Sequence, residues 1–198
     1  MKPLRLGVLV SGRGSNLKAI LDEIEAGRLA AEAALVISDN PEAGAVKLAE
    51  GRGISSVVVE RTAFREKDAF ESALVSLLES RQVELVVLAG FMRVLGRRFI
   101  EEAPGRVINI HPSLLPSFPG LKAQKQALDH GVKISGCTVH FVNEIMDGGR
   151  IIAQAAVPVH PDDTEETLSA RILAEEHRLL PRVIGWIAEA LRAPDQKQ

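Results

Sequence analysis

Short, uniformly apolar segments alternate along the chain with longer stretches in which apolar residues recur every three or four positions. The segment 4–10 is of the first kind and predicts a strand, and the apolar residues between Leu17 and Ile24 follow helical spacing. The same alternation predicts further strands at 34–38, 57–59, 84–89, 107–111, 137–142 and 151–159, and further helices at 41–50, from Thr62 to Leu78, and after Thr164.

The predicted strands are apolar on both faces, which is typical of a parallel sheet covered by helices on both sides. Strands that alternate with helices are joined by right-handed crossovers. The last two strands lie close enough in sequence to pair as an antiparallel hairpin around residues 147–149. We therefore expect a single α/β domain over residues 1–198, built as three layers around a mostly parallel twisted sheet of about seven strands, with a Rossmann-like N-terminal half and an antiparallel C-terminal part.

Composition and charge narrow the classes of partner. Of the 198 residues, 46% are hydrophobic and 25% are charged, and the formal net charge is -2. This is ordinary globular usage, and it disfavours a nucleic-acid-binding surface. No segment approaches the roughly 18 consecutive apolar residues of a membrane span. Cys137 is the single cysteine of the sequence, so an internal disulfide is excluded. We expect a soluble, cytoplasmic protein that binds neither nucleic acid nor membrane.

A glycine-rich segment, Ser-Gly-Arg-Gly-Ser-Asn at residues 11–16, separates the first strand from the first helix. Bare backbone N–H groups can approach an anion at a helix N-terminus, where the helix dipole favours negative charge, so the segment predicts a phosphate site. Leu17 stands where the dinucleotide-binding fingerprint needs a third glycine, and no Gly-Lys-Ser/Thr is present. Neither NAD nor a nucleoside triphosphate is therefore indicated. The alternative is a tight turn with a polar surface.

Two polar residues interrupt the apolar strand at 107–111. Asn109 and His111 are two positions apart and therefore face the same side of the strand. A buried amide without a partner costs about 1–3 kcal/mol, so Asn109 must bond either to the protein or to a ligand. The place of both residues at the carboxyl end of a strand favours a binding site. The alternative is a structural asparagine followed by a histidine that ends the strand.

Two acidic residues complete the candidate chemistry. Asp147 is by default a turn residue, but in the predicted hairpin it can lie opposite His111, where a carboxylate favours the imidazolium and can hold a water. An amide that stabilises an oxyanion, with an imidazole that shuttles a proton, suits acyl transfer to an amine. Glu176 interrupts the apolar face of the last helix, and its side chain either reaches the solvent or binds a cationic group.

Other residues are assigned structural roles. His140 alternates with apolar residues in a strand and is interpreted as structural, and the remaining histidines lack the spacing of metal ligands, so no metal is expected. The loop 112–120 is stiffened by three prolines. Any of its X-Pro peptide bonds can be cis, and Leu115–Pro116 is the first candidate.

A resemblance to a known family rests on the segments 11–17, 88–93, 109–116, 136–141 and 146–149. With these the chain resembles the folate-dependent formyltransferases over essentially its whole length, and the sequence Asn-Ile-His-Pro-Ser-Leu-Leu-Pro at 109–116 is specific to these enzymes and their hydrolase relatives. The glycine loop and the chain length favour the members that use glycinamide ribonucleotide in purine synthesis. The resemblance implies the formyltransferase fold, with a phosphate-binding half at 1–103 and a catalytic, folate-binding half at 104–198.

The resemblance also implies a role for each site residue. Asn109 stabilises the oxyanion, His111 is the general acid and base, and Asp147 tunes His111. Glycinamide ribonucleotide is bound by Gly12, Arg13, Gly14, Ser15, Asn16, Pro112 and Glu176, of which the last meets its amine. The folate site consists of Lys67, Met92, Arg93, Val94, Leu95, Asn109, Val142, Asn143, Glu144 and Asp147. The formyl donor is 10-formyltetrahydrofolate, the substrates are small molecules, no metal takes part, and the protein is a monomer or a homodimer.

Three other functions stay open. Methionyl-tRNA formyltransferase shares the three catalytic residue types but has an added C-terminal domain and a basic RNA-binding face, which a chain of 198 residues with a net charge of -2 is not expected to have. Formyltetrahydrofolate hydrolase normally carries a regulatory domain before the catalytic one, and a first strand at Leu4 is not expected to leave room for it. A non-catalytic phosphosugar-binding protein on the same scaffold would tolerate the loss of His111.

Overall fold

The computed structural model describes residues 2–192, and a seven-stranded sheet forms their centre. The strands are β1 (Leu4–Val10), β2 (Ala31–Ser38), β3 (Ser56–Val58), β4 (Leu85–Leu88), β5 (Arg106–His111), β6 (Ile134–Phe141) and β7 (Ile151–Pro158). They lie in the order β3-β2-β1-β4-β5-β6-β7. The first five are parallel to one another, whereas β6 is antiparallel to both of its neighbours.

Helices cover both faces of this sheet. They are α1 (Ser15–Glu25), α2 (Gly44–Gly51), α3 (Lys67–Ser80), α4 (Arg97–Glu102), α5 (Ala123–Asp129) and α6 (Glu165–Arg192). Helices α1, α2 and α6 share one apolar cluster with the sheet, and α3 and α4 share another on the opposite face. This arrangement confirms the predicted three-layer α/β class with an antiparallel C-terminal part. No helix within residues 2–192 is long and apolar enough to cross a membrane.

Apart from Arg5 and Gly7, the residues of strand β1 are aliphatic, and their packing shows why. Leu6 and Val8 pack into the cluster under α1 and α6, whereas Leu9 packs into the cluster under α3, and all three side chains are fully buried. Successive strand residues point to opposite faces, so a strand covered on both sides needs apolar residues at every position.

Some element boundaries differ from those predicted. A helix starting at Thr62 is wrong, because Arg61–Ala63 form a separate 3-10 turn and α3 begins only at Lys67. Helices α4 and α5 were not predicted, because six and seven residues are too few to show a helical repeat. The Leu115–Pro116 peptide bond, which the sequence left open, is cis. Thr164 precedes α6 and its hydroxyl accepts the N–H of Thr167 at 3.3 Å, which confirms the predicted cap.

The carboxyl ends of β1, β4 and β5 meet at one edge of the sheet. Leu88 at the end of β4 pairs with Asn109 on β5, so the loops that follow these strands emerge side by side. The N–H of Ser11 donates to the carbonyl of Gly90 at 3.0 Å, and the Ser11 hydroxyl accepts the N–H of Met92 at 2.8 Å. The glycine loop and the loop after β4 are thus bonded to each other at the edge where ligands of such sheets bind.

Candidate active site

Asn109 is held by a histidine on the neighbouring strand. The antiparallel register pairs Asn109 with His140, and the Asn109 Nδ2 atom lies 3.2 Å from His140 Nε2. His140 Nδ1 lies 2.9 Å from the carbonyl oxygen of Phe141, which can only accept, so Nδ1 carries the proton and Nε2 accepts from the Asn109 amide. Burial lowers the pKa of His140, which keeps the ring neutral and suited to this role. His140 therefore belongs to the site, although its sequence pattern indicated only a structural residue.

His111 has a polar neighbour at each ring nitrogen. Its side chain is 7% exposed, Nε2 lies 2.9 Å from the carbonyl oxygen of Phe118, and Nδ1 lies 3.4 Å from Asp147 Oδ2. The carbonyl requires a proton on Nε2, and the carboxylate is a favourable neighbour for a second proton on Nδ1. The arrangement suits a histidine that accepts a proton and releases it again.

Asp147 lies between two histidines and one loop. Its Oδ2 atom accepts the N–H of Gly120 at 2.8 Å, and its Oδ1 atom lies 3.7 Å from His140 Nε2. The residue has a φ of 52°, in the left-handed region that aspartate tolerates better than most residues. The turn that the sequence predicted thus brings the carboxylate to His111, and three distant segments converge at one point.

The loop 112–122 supports both His111 and Asp147. The Thr138 hydroxyl on β6 donates to the carbonyl of Ser113 at 2.7 Å, and the Gln126 amide on α5 donates to the carbonyls of Pro119 and Leu121 at 3.2 and 3.0 Å. These bonds fix a segment without regular secondary structure against two rigid elements. The sequence analysis did not identify Phe118 and Gly120, because they contribute backbone groups that any residue type carries.

The glycine loop forms the start of α1. Gly14 has a φ of 81°, and a Cβ there would lie 2.7 Å from the Cβ of Ala45 on α2, so only glycine fits. Gly12 and Arg13 are exposed, whereas Leu17 is fully buried beneath them. Because the loop precedes a helix of eleven residues, its N–H groups and the helix dipole favour an anion.

Glu176 reaches this loop from α6. Its Oε2 atom accepts the Nδ2–H of Asn16 at 2.8 Å, and 6% of the residue is exposed. The alternative that its charge reaches the solvent is therefore wrong. Burial raises the pKa of Glu176, and the hydrogen bond from Asn16 lowers it by a smaller amount. The Oδ1 atom of Asn16 has no hydrogen-bond partner among the described residues. One hydrogen-bond acceptor is therefore unused in the first turn of α1.

The segment 92–95 has exposed apolar residues beside buried anchors. Met92 and Val94 are 65% and 56% exposed, whereas Leu95 is buried in the cluster under α3. Arg93 Nε lies 2.5 Å from the carboxylate of Asp39 at the end of β2. Exposed apolar side chains next to polar groups are typical of a ligand-binding surface.

A second exposed segment, 142–147, directly follows β6. A cavity of about 310 Å³ opens between α4 and the start of this segment, with Ile100, Val107 and Val142 among its lining residues. Asn143 and Glu144 are both exposed, and no hydrogen bond within the described residues joins either of them to Asn109, His111 or Asp147. The cavity is large enough for a bicyclic ring.

Lys67 and Pro112 are two further residues of the predicted ligand sites. Lys67 lies at the start of α3 with its ammonium 3.5 Å from Glu71, and Pro112 directly follows His111.

Cys137 is buried, and burial raises the pKa of its thiol to about 12, so it is not a nucleophile at neutral pH. Between residues 2 and 192, no three His, Cys, Asp or Glu side chains are grouped so as to hold a metal ion.

The sequence and the fold are similar to those of known proteins. A family model described as formyl transferase matches residues 4–184. The phosphoribosylglycinamide formyltransferase of Bacillus subtilis is 44% identical, with 91% of this chain and 92% of that protein covered, and that of Escherichia coli is 39% identical, with 94% and 88% covered. The crystal structure of glycinamide ribonucleotide transformylase 1 from Symbiobacterium toebii has a TM-score of 0.93 at 49% identity, covering 96% of this chain and 89% of that one.

Other relatives are much longer than this chain. The trifunctional purine biosynthetic protein adenosine-3 of Drosophila melanogaster is 46% identical over 96% of this chain, but the match spans 14% of that protein. The human protein of the same name is 43% identical, and the match spans 18% of it. The chain therefore corresponds to one part of these proteins and to most of the bacterial ones.

Proposed function

Because the chain belongs to the formyl transferase family, we propose that it transfers a formyl group from 10-formyltetrahydrofolate to the amine of glycinamide ribonucleotide, a step of purine synthesis. The observation that carries this proposal is the convergence of Asn109, His111 and Asp147 beside a glycine loop. The carboxylate lies 3.4 Å from the imidazole, and the amide lies two strand positions before the imidazole, on the same face of β5. An oxyanion donor, a proton carrier and an anion site are what this transfer requires.

Glycinamide ribonucleotide binds at the start of α1 in this proposal. Its phosphate accepts hydrogen bonds from backbone N–H groups of the loop 12–16, and the dipole of α1 stabilises the negative charge of the phosphate. Its amine approaches Glu176, which is already tied to the loop by Asn16 at 2.8 Å. Pro112 borders the same space because it directly follows His111.

The formyl donor lies against the two exposed segments. In this proposal its pterin ring enters the cavity that Val142 lines. The segments 92–95 and 142–147 lie beside the ring, and Lys67 faces the anionic end of the donor. Apolar contacts with the ring and backbone hydrogen bonds to its edge supply the binding, as in other small-molecule sites.

The reaction then needs no covalent enzyme intermediate. The amine nitrogen attacks the formyl carbon, and a C–N bond forms. The carbonyl oxygen becomes an oxyanion that accepts a hydrogen bond from the Asn109 amide. His111 takes up the proton that the amine loses and delivers it to N10 of the folate as the C–N10 bond breaks. Asp147 stabilises the protonated imidazole during this transfer.

In this proposal the chain is one domain, in which residues 1–103 form the phosphate-binding half and residues 104–198 form the catalytic half.

A single assay tests the reaction. Purified protein is mixed with 10-formyltetrahydrofolate in the presence of a chelator, and the absorbance change is followed with and without glycinamide ribonucleotide. We expect turnover that depends on the amine, persists with the chelator, and falls by about 100-fold or more in His111→Ala. Turnover without the amine points to a hydrolase instead. Binding of both compounds without turnover, or an unimpaired His111→Ala variant, contradicts the proposed mechanism.

We further propose that the enzyme is cytoplasmic, that it is a monomer or a homodimer, and that it binds neither nucleic acid nor membranes.

A further inference from the structure

Glu71 on α3 is a buried carboxylate that the proposed reaction does not use. The residue is 2% exposed, and its helix neighbours Phe70 and Leu74 belong to the apolar cluster under this face of the sheet. A buried charge is costly unless it is paired and hydrogen-bonded. The contacts of this side chain therefore call for a reason.

Only part of the carboxylate is satisfied. Its Oε1 atom accepts the N–H of Gly96 at 2.7 Å and lies 3.5 Å from the ammonium of Lys67. Its Oε2 atom has no hydrogen-bond partner among residues 2–192. A half-satisfied buried carboxylate is a poor device for stability alone, since an apolar side chain of similar size would avoid the penalty.

Gly96 is shaped to this carboxylate. A Cβ at Gly96 would lie 2.9 Å from Glu71 Oε2 and 3.4 Å from Lys67 Nζ. The backbone of Gly96 has a φ of -80°, which any residue adopts, so a larger residue would act here by displacing the ends of these two side chains and not by straining the backbone.

The contact joins two parts of the proposed folate site. Gly96 directly follows the segment 92–95, which has no regular secondary structure, and Lys67 is the cation proposed to face the folate. The other end of the segment is already held, because Arg93 pairs with Asp39. Glu71 closes the second end and also fixes the Lys67 ammonium.

We propose that Glu71 is a positioning residue for the formyl donor. Through Gly96 it sets the position of the segment 92–95, and through Lys67 it sets the cation that faces the anionic end of the folate. The inference rests on the proposed folate site. It predicts that loss of Glu71 weakens binding of the folate and leaves both the chemistry and the binding of the amine substrate intact.

The first test compares two substitutions of Glu71. Glu71→Ala removes the acceptor of the Gly96 N–H, and we expect the KM for 10-formyltetrahydrofolate and the Kd for tetrahydrofolate, measured by calorimetry, to rise about tenfold or more. We expect kcat and the KM for glycinamide ribonucleotide to change less than about threefold. Glu71→Gln keeps an oxygen for the Gly96 N–H, so its folate constants should stay within about threefold of wild type.

A second variant reaches the same contact while keeping the carboxylate. Gly96→Ala places a methyl group against Glu71, and we expect the same loss of folate affinity as in Glu71→Ala. In the double variant the methyl group has no carboxylate to displace, so the two effects should not add. Gly51→Ala is the matched control, because a Cβ at Gly51 has no neighbour within 4 Å. If Glu71→Ala does not fold, Gly96→Ala decides the question.

The outcomes separate this inference from the proposed reaction. The role of Glu71 is refuted if the wild type transfers formyl groups and both Glu71→Ala and Gly96→Ala bind tetrahydrofolate as well as the wild type does. An equal rise in the KM of both substrates, or additive effects in the double variant, also refutes it. A wild type that binds tetrahydrofolate but transfers nothing refutes the reaction, and calorimetry still decides the role of Glu71. A wild type that binds no tetrahydrofolate overturns both proposals.

Discussion

The two sides of the active-site edge are built differently. On the side of the glycine loop, which is proposed to bind phosphate, helices support two of the residues: Gly14 lies against Ala45 of α2, and Asn16 bonds to Glu176 of α6. These residues pack where α1, α2 and α6 share one apolar cluster. The binding loop is therefore held by the same packing that stabilises the parallel sheet.

On the catalytic side, support comes from loops. Phe118 and Gly120 bond to His111 and Asp147 through backbone groups, and both lie in a segment without regular secondary structure. Strand β6 contributes as well, because His140 lies against Asn109 and the Thr138 hydroxyl donates to the carbonyl of Ser113 in that segment. Hydrogen bonds between loops contribute little burial of apolar surface, so they add less to global stability than helix packing does.

This difference predicts which substitutions should affect stability and which should affect catalysis. Changes in the apolar clusters should unfold the protein without altering the chemistry of the molecules that remain folded. Changes among the groups that face the reacting carbon should abolish the chemistry with little effect on unfolding. Glu176 should connect the two, because it is both buried in the packing and turned to the proposed substrate.

The largest effect on unfolding is expected for Leu6→Ala. Leu6 is fully buried in β1, at the end of the strand away from the site, and its truncation leaves a cavity. We expect the free energy of unfolding to fall by about 2–5 kcal/mol in urea titrations. The kcat measured at temperatures where the variant is folded should equal that of wild type. Leu191→Ala, a 54% exposed leucine on α6, is the control and should change stability by less than about 0.5 kcal/mol.

The next effect in size is expected for Asn109→Ala. The amide is proposed to bond to the oxyanion, and the loss of one such donor lowers kcat by about 100- to 1,000-fold. The free energy of unfolding should fall by only about 1 kcal/mol, because the ring of His140 loses one partner. Asn109→Asp has the same shape and no donor, so it should be equally inactive. An active Asn109→Asp variant would show that the amide does not act as a donor.

The supports of the two sides also differ in how well the sequence predicts them. Strand β1 and helix α1 were predicted closely, because apolar spacing and the glycine loop are local signals. The convergence of Asn109, His111 and Asp147 could be proposed from strand spacing and the hairpin, and their catalytic roles stay a prediction. The geometry agrees with that expectation, since the imidazole and the carboxylate lie 3.4 Å apart.

The contacts that the sequence did not indicate are those without a local signal. His140 meets Asn109 only through the antiparallel register of β5 and β6, and a one-residue shift would turn it to the other face. Phe118 and Gly120 act through backbone groups. Glu71 was hidden because a glutamate on a helix is normally solvated, and its partner is a backbone N–H 25 residues away.

The smallest of the three effects, and the one that bears on both sides, is expected for Glu176→Gln. Burial raises the pKa of Glu176 above its ordinary value of 4.5, so the folded protein holds this proton more tightly than the unfolded chain does. The stability that the group contributes is complete below pH 4.5 and is lost as the pH rises through the folded-state pKa. A glutamine cannot ionise and escapes that loss, while it still accepts the hydrogen bond from Asn16.

We therefore expect the Tm of Glu176→Gln to match that of wild type near pH 4 and to exceed it at pH 7, by roughly 2–4 °C for each kcal/mol gained. The same variant should bind glycinamide ribonucleotide more weakly, because the amine loses its carboxylate partner. Glu189→Gln, an exposed glutamate on the same helix, should show neither change. A Tm difference that is constant between pH 4 and pH 7 would mean that ionisation of Glu176 carries no cost in the folded state.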